Sequence, residues 1–400
     1  MANSWNRSPY PVLESSLQEI LVAVKPSDED RLRRLNAINN FKGVVQSMES
    51  LRGATVEPFG SFISNLYTKW GDLDISIELS GMPFSSVGRS RKQDLLREIM
   101  RALRRRGVHQ LEFIPRARVP LLKFESNQSI SCDISVDNLV GQVKSKYFLW
   151  ISQIDERFRD MVLLVKEWAK TRDINDPKNG TLNSFSLTLL VIFHFQTCNP
   201  SILPPLKHIF DGNIADQLIG MRSYASIETT CLANVERFKR ERYRVNQSSL
   251  SELFVSFFEK FSNIKTMAAG HVFCTFTGTR ERVWSQAKWI GKPFQIFIED
   301  PFEQTENAAR SVGVFELSKI AQAFEETHHK LSASSVLSNK NSLIPFLVRP
   351  RVCSLLGVRT PQSEYRSELH DSLEQYLHRL NLKDRPSSSR SSNGVRWTGI

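Results

Sequence analysis

Asp72 and Asp74 stand two residues apart in Gly71-Asp72-Leu73-Asp74-Ile75-Ser76-Ile77, shortly after Pro58-Phe59-Gly60-Ser61. In an extended strand, alternation sends both carboxylates to one face and Leu73, Ile75 and Ile77 to the other, into a core. Parallel carboxylates repel unless a cation lies between them, and hard divalent ions such as Mg²⁺ take carboxylate oxygens. Two such ions about 3.5–4 Å apart can activate a hydroxyl and stabilise a departing pyrophosphate. Gly60 lets the backbone approach a phosphate closely, and Ser61 at a helix start offers hydroxyl and N–H donors to an anion. Alone, Asp-x-Asp reads as a solvated strand edge and Gly-Ser as a turn and cap. Joined, they point to metal-assisted phosphate chemistry.

The elements that must position these residues follow from the periodicity. Leu17, Ile20, Leu21 and Val24 form a helical stripe ended by Pro26, and Ser27 with Asp30 predicts a capping box for a second helix. In that helix Leu32, Leu35, Ile38, Phe41, Val45 and Met48 recur at helical spacing. From Ala54 the period shifts towards two, predicting an extended Thr55–Phe59, a short helix over 62–67 and a strand over 72–79. A loop covers 80–92, a helix 94–106 stops at Gly107, and two strands over 116–124 and 130–136 are joined by Ser126-Asn127-Gln128. In the second of these strands Asp133 falls on the polar face. A third carboxylate on a neighbouring strand is what a two-metal site still needs, although a half-exposed strand alone would also carry such an Asp.

After Trp150 the pattern is helical. Residues 156–171 place Phe158, Met161, Val162, Val165, Trp168 and Ala169 on an inner stripe, with Lys166 and Lys170 side by side on another face. A shared anion such as a triphosphate would relieve that pair, and a solvated face would accommodate it too. Ser184 and Phe185 open the most apolar helix, so Ser184 reads either as an anion donor or as a helix-start cap, and Phe185 either as a base platform or as core. The run Arg237-Phe238-Lys239-Arg240-Glu241-Arg242-Tyr243-Arg244 suits a nucleic-acid backbone or a solvated helix face. Ser249 and Glu252 cap a helix ending near Phe261. Residues 368–382 read as a last helix, and from Lys383 the composition is too polar to fold alone.

Composition bounds the possibilities. The 400 residues leave room for two domains, and 40% hydrophobic with 24% charged residues suits a folded protein able to bury real cores. The net charge of +11 and pI near 9.5 point to a polyanionic partner. Five scattered cysteines without a C-x-x-C pair argue for a reducing compartment and against a zinc site. No secretory signal opens the chain, and the most apolar stretch, Phe185 to Phe195, is too short to span a bilayer, so no membrane is expected.

In order, Gly60-Ser61 with Asp72-Leu73-Asp74, Cys132-Asp133-Ile134, Val165-Lys166-Glu167-Trp168-Ala169-Lys170, Gly180-Thr181-Leu182-Asn183-Ser184-Phe185 and Glu299-Asp300-Pro301-Phe302-Glu303 resemble the terminal nucleotidyltransferases of the polymerase-β-like superfamily. The resemblance covers roughly residues 10–330. Gly141-Gln142-Val143-Lys144-Ser145-Lys146, Phe193-His194-Phe195-Gln196-Thr197-Cys198 and Asn307-Ala308-Ala309-Arg310-Ser311-Val312 look most like the plant small-RNA uridylyltransferases, which add uridines to RNA 3′ ends lacking a 2′-O-methyl group and mark them for decay.

The resemblance implies an α+β fold: a polymerase-β-like nucleotidyltransferase domain with a mixed sheet over 53–144, set into a mainly helical, poly(A)-polymerase-associated domain over 1–52 and 145–332. An extension over 333–382 and a disordered tail over 383–400 would follow. It implies that Asp72, Asp74 and Asp133 are both the catalytic residues and the ligands of Mg²⁺ or Mn²⁺. Ser61, Lys166, Lys170 and Ser184 would hold the triphosphate beside Gly60, and Phe185 would stack on the base. Two positions depart from the family. Lys144 stands where relatives often have an Asn touching ribose and base, and Glu306 where yeast-type uridylyltransferases have a His that selects uracil. UTP is therefore the expected nucleotide by overall similarity, with adenylyl transfer or an inactive RNA-binding scaffold as alternatives. The expected partners are an RNA 3′ end, UTP and small-RNA effector proteins, for a monomer in the cytoplasm or nucleus.

Overall fold

Pro11 at a first helical turn costs no hydrogen bond, and the apolar stripe behind it gives helix α1 (Pro11–Val24), which buries Leu13, Leu17, Ile20, Leu21 and Val24. The computed structural model describes residues 8–79, 87–213, 224–242, 244–333, 337 and 339–359. Helix α2 (Asp28–Gln46) starts at the expected capping box: Ser27 Oγ accepts from the Asp30 N–H at 3.1 Å, and the Asp30 carboxylate accepts from the Ser27 N–H at 3.0 Å. Its inner stripe differs from the expected one in the first half. Leu32 and Leu35 are 59% and 38% exposed, whereas Arg34 is buried at 1%. Arg34 turns inward because its guanidinium ties helix to loop, donating to the Asp30, Lys69 and Gly71 carbonyls at 3.0, 3.2 and 2.7 Å and lying 4.7 Å from the Tyr67 ring centre.

The alternating segments form strands β1 (Thr55–Phe59), β2 (Leu73–Glu78), β3 (Leu111–Ile114), β4 (Leu121–Glu125) and β5 (Ser131–Val136), with the short helix α3 (Gly60–Ile63) after β1 and helix α4 (Arg89–Arg105) after β2. The sheet order is β1-β2-β5-β4-β3, with β2 and β5 parallel at the centre and the remaining pairs antiparallel. This is the expected mixed sheet. Strand β3 was not legible because Leu111–Ile114 is half-buried without clean alternation. Residues 116–120 turn rather than extend, α3 is shorter and earlier than the periodicity suggests, and α4 begins before residue 94. One core joins α2, α4 and the sheet through Phe41, Val45, Leu73, Ile75, Leu96, Ile99, Cys132 and Ile134. Helix α2, grouped by sequence with the helical part, thus shares the sheet's core.

The remaining helices are α5 (Leu139–Ser152), α6 (Glu156–Thr171), α7 (Ser184–Gln196), α8 (Tyr224–Glu241), α9 (Leu250–Phe261), α10 (Ile264–Ala268), α11 (Val314–Ser332), α12 (Lys340–Leu347) and α13 (Pro350–Leu355). Helix α5 begins at Asn138, whose side chain accepts from the Gly141 N–H at 3.2 Å, so the division expected at 144 and 145 falls inside a helix. Helices α6 and α9 hold the expected bounds. Their apolar faces meet α11 in an aromatic core where Trp168 packs on Phe258 and Phe324 and donates from Nε1 to Thr327 Oγ1 at 2.9 Å. A second small sheet, β7-β6-β8, is formed by β6 (His271–Cys274), β7 (Thr279–Arg282) and β8 (Phe297–Ile298) and delivers the chain to the Glu299–Glu303 segment. All five cysteines are free thiols, and no helix among the described residues is long and apolar enough to cross a membrane. The helix expected over 368–382, the tail beyond Lys383 and the loop tip over 80–86 lie outside the described residues.

Arg34→Met removes the charged donor from three backbone carbonyls within a packed interior. Chemical denaturation should show a loss of about 2–4 kcal/mol; a loss below about 0.5 kcal/mol would show that the tether to Gly71 contributes little.

Candidate active site

Strand β2 buries Leu73, Ile75 and Ile77 completely and so turns Asp74 to its other face. Asp72 lies just ahead of the strand and is exposed. Because β2 and β5 run parallel in register, Asp74 and Asp133 are direct neighbours. Burial pushes the Asp74 carboxyl up to about 7, and the negative charges of Asp133 and then Asp72 push in the same direction. Asp133 is also raised by burial, against the pull of Lys123, whose Nζ donates to Asp133 Oδ2 at 2.7 Å. Its other oxygen, Oδ1, is buried without a partner. Among the described residues no three Asp, Glu, His or Cys side chains converge into a ready metal cage. The three acids are gathered at one end of the sheet, with Lys123 holding one oxygen of Asp133.

Gly60 is set by these acids. Its φ is +69°, and a Cβ at this position would overlap Asp74 Oδ2 and stand 2.7 Å from Asp74 Cγ. Only glycine lets the β1 turn pass the carboxylate. The Gly60 N–H donates to Ser145 Oγ at 2.6 Å, so that amide is used inside the protein rather than offered to a ligand. Ser61 follows on the rim.

A cleft of about 360 Å³ brings together Gly60, Ser61, Asp72, Asp74, Lys144, Lys166, Lys170, Ser184 and Phe185. The stripe that buries α6 on one side leaves Lys166 and Lys170 on the cleft side. Lys166 Nζ donates to the Leu66 carbonyl at 2.9 Å, and its pKa falls to about 8, through burial first and then Lys170, with Asp74 opposing. Burial lowers Lys170 also, with Arg349 adding to it. Ser184 is not the helix cap. Asn183 takes that role, accepting from the Ser186 N–H at 2.7 Å, while Ser184 Oγ donates to Asn175 Oδ1 at 3.2 Å. Phe185 packs against Phe148 and keeps part of its ring at the cleft, with Lys144 Nζ 5.2 Å from the ring centre.

Asp133 and Glu306 stand outside that lining. Asp133 is the in-register neighbour of Asp74, which does line the cleft. Glu306 borders a smaller neighbouring hollow of about 130 Å³, which shares Lys144 and Phe185 with the main cleft. There Lys144 is held by Asp300 and Glu303 at 2.5 and 2.6 Å, Arg118 pairs with Glu303, and Glu306 accepts from Arg310 at 3.0 Å. Sequence reasoning assigned no role to Lys123, Arg118, Asp300 or Glu303. For Lys123 a signal existed: Leu122 and Phe124 point inward, so Lys123 shares the polar face with Asp133. For Arg118 no local pattern announces a partner 185 residues away.

A neutral Lys166 binds a polyanion less well than a charged one. Equilibrium titration with a nucleoside triphosphate should show affinity declining as pH rises above about 8, by up to about tenfold per unit, because the bound anion raises the lysine's pKa. Lys166→Gln should flatten this decline; affinity that is flat in the unaltered protein as well would mean Lys166 does not meet the phosphates.

A family model described as the central palm domain of mitochondrial-like poly(A) RNA polymerases matches residues 13–153. Protein HESO1 of Arabidopsis thaliana is 50% identical over 372 residues, spanning 91% of this chain and 72% of its own. Terminal uridylyltransferase cid1 of Schizosaccharomyces pombe is 25% identical over 349 residues, spanning 82% and 79%. Among solved structures, a cytoplasmic RNA terminal U-transferase shares the fold with TM-score 0.64, 23% identity and coverage of 84% and 99%, and mtPAP in complex with UTP does so with TM-score 0.68, 21% identity and coverage of 84% and 71%. The sheet that pairs Asp74 with Asp133, the glycine that clears them and half-identity to a relative over most of both chains lead to one conclusion: the chain belongs to the polymerase-β-like terminal nucleotidyltransferases, in the terminal uridylyltransferase group.

Proposed function

We propose that the protein is a template-independent RNA 3′-terminal uridylyltransferase, adding UMP from UTP to RNA 3′ ends. The observation that carries this reading is the convergence in one cleft of two catalytic-type carboxylates, two lysines whose pKa is lowered by burial and an aromatic ring, arranged from phosphate chemistry at Asp74 to a base platform at Phe185. Lys166, Lys170, Ser61 and Ser184 hold the triphosphate and Phe185 stacks on the base. The RNA 3′-hydroxyl attacks the α-phosphate in line and pyrophosphate departs towards the two lysines.

The donor set fits divalent ions. Asp133 Oδ1 is a buried oxygen without a partner, and Asp74 is a buried carboxyl beside two others, a state that a cation relieves. Asp72, Asp74 and Asp133 would hold Mg²⁺ or Mn²⁺, which would supply charge stabilisation of the reacting phosphate. With Oδ2 committed to Lys123, Asp133 offers a single oxygen. At the base end, the Lys144 ammonium donates and the carboxylates around it accept, a pair that uracil's O4 and N3–H or adenine's N1 and N6–H would each meet, so the choice of UTP is drawn from the likeness to the uridylyltransferases. Likeness to plant small-RNA uridylyltransferases supports small RNAs without 2′-O-methyl protection as acceptors, marked for decay by the added uridines, with small-RNA effector proteins as partners. It also supports a monomer acting in the cytoplasm or nucleus.

Purified protein with a short single-stranded RNA, Mg²⁺ and each nucleoside triphosphate in turn tests the reading. UTP should be incorporated preferentially, and Asp74→Ala should abolish extension while RNA binding persists; preferential use of ATP would replace uridylyl by adenylyl transfer, and RNA binding without extension by the unaltered protein would make it a scaffold. Glu306→His should change the ratio of UTP to ATP use by about tenfold if the hollow beside Phe185 receives the base edge. An unaltered ratio would place Glu306 outside base recognition.

A further inference from the structure

Helix α13 lies beyond residues 13–153, which match the palm model, and beyond the motifs that end at Val312. Its Val352 and Cys353 are buried in the helical core, which fixes the helix where Arg349 and Arg351 both act electrostatically on Lys170 of the cleft wall. Arg349 is already committed. Its Nε and Nη2 donate to the Glu167 carboxylate at 2.8 and 2.5 Å, and Glu167 is buried on α6 between Lys166 and Lys170, at the cleft wall.

Arg351 is different. It is exposed and has no hydrogen-bond or carboxylate partner among the described residues, while its guanidinium lies 4.2 Å from the centre of the Trp70 ring. Trp70 immediately precedes Gly71 and Asp72, both on the cleft wall, and Lys69 Nζ lies 4.8 Å from the same ring centre. Stacking on indole holds the planar guanidinium by its face and leaves its N–H edge free to donate in pairs, the geometry that suits a phosphate. Around this point Lys69, Lys166, Lys170, Arg349 and Arg351 gather; Glu167 is paired with Arg349, and Asp72 and Asp74 are the acids that act on Lys170 and Lys166. An anion among these cations relieves their mutual repulsion. Arg349 and Glu167 are the charges that act on Arg351 most strongly after burial, which agrees with its place beside this wall.

We propose that Arg351, oriented by Trp70, is a binding residue for the terminal phosphate of the polyphosphate in the cleft: the γ-phosphate of the incoming nucleotide, and the pyrophosphate after transfer. The inference rests on the nucleotidyl-transfer reading and adds a contact from a segment outside the matched motifs. With the base at Phe185 and the inner phosphates at Lys166 and Lys170, the polyphosphate runs along α6 towards Glu167 and α13, and Arg351 is the next cation in line. A backbone phosphate of the RNA could meet the same guanidinium chemistry, and the experiment separates the two sources.

The test compares the full chain with Arg351→Ala and Arg351→Lys, measuring equilibrium affinity for UTP, UDP, UMP and a short RNA in Mg²⁺, together with inhibition by pyrophosphate. Arg351→Ala should weaken UTP binding about tenfold and raise the pyrophosphate inhibition constant similarly, leave UMP and RNA affinity and the melting temperature unchanged, and be partly rescued by lysine. Unchanged UTP affinity, or equal losses for UTP and UMP, would overturn the assignment. Loss of RNA affinity with UTP intact would give the guanidinium to the acceptor strand instead and overturn it too. If the unaltered protein binds no nucleotide, the nucleotidyl-transfer reading itself falls, and this inference with it.

Discussion

The parallel pairing of β2 with β5 sets Asp74 directly beside Asp133, and most of the molecule answers to the electrostatic cost of that pairing. Two carboxylates on adjacent strands, with Asp72 close by, raise one another's affinity for protons, and burial adds to it. Three local devices accommodate the strain. Lys123 on β4 takes one oxygen of Asp133, Gly60 withholds the Cβ that would collide with Asp74, and Lys166 faces the acids from α6. Each comes from a different element, so the arrangement exists only when the sheet and the helical part are assembled together.

The cleft reflects a division of charge. Acids end the sheet, cations line α6, and α13 brings more cations from near the other end of the chain. Phosphate chemistry benefits from this gradient because negative charge moves away from the acids as the leaving group departs. The base end is built from a different principle. There Lys144, Asp300, Glu303, Arg118, Glu306 and Arg310 neutralise one another in a chain of ion pairs, so the donors and acceptors beside Phe185 are held in place before any base arrives. Preorganised polar groups favour selectivity because a mismatched base edge leaves them unpaired.

Several elements were legible because their signals are local. The capping boxes at Ser27 and Ser249 and the inner stripe of α6 depend on residues within one or two turns, and the structure keeps their bounds. The inner stripe of α2 was misread where Arg34 outweighed two leucines, since the carbonyls that attract the guanidinium belong to Lys69 and Gly71. Strand β3 and helix α5 carry weak periodicity of their own and are defined by what they pack against. Ser184 illustrates the same limit at the site: its neighbour Asn183 wins the cap, a choice between two adjacent polar side chains that spacing does not decide.

The order and types of the chemical residues were thus written in the sequence: glycine then serine, two alternating acids, a third acid in a later strand, paired lysines and an aromatic at a helix start. Alternation and helical period placed Asp74, Asp133 and the paired lysines away from the buried face of their elements, because those periods are properties of the backbone alone, whereas Asp72 falls just ahead of its strand. Only the tertiary structure decided which faces meet. It chose the register that opposes Asp74 with Asp133, gave one oxygen of Asp133 to Lys123, put Glu306 in a side hollow rather than in the main cleft, and brought Arg349 to Glu167 and Arg351 to Trp70. These contacts join residues tens to hundreds of positions apart, and they depend on the burial of two hydrophobic cores that holds the elements in place.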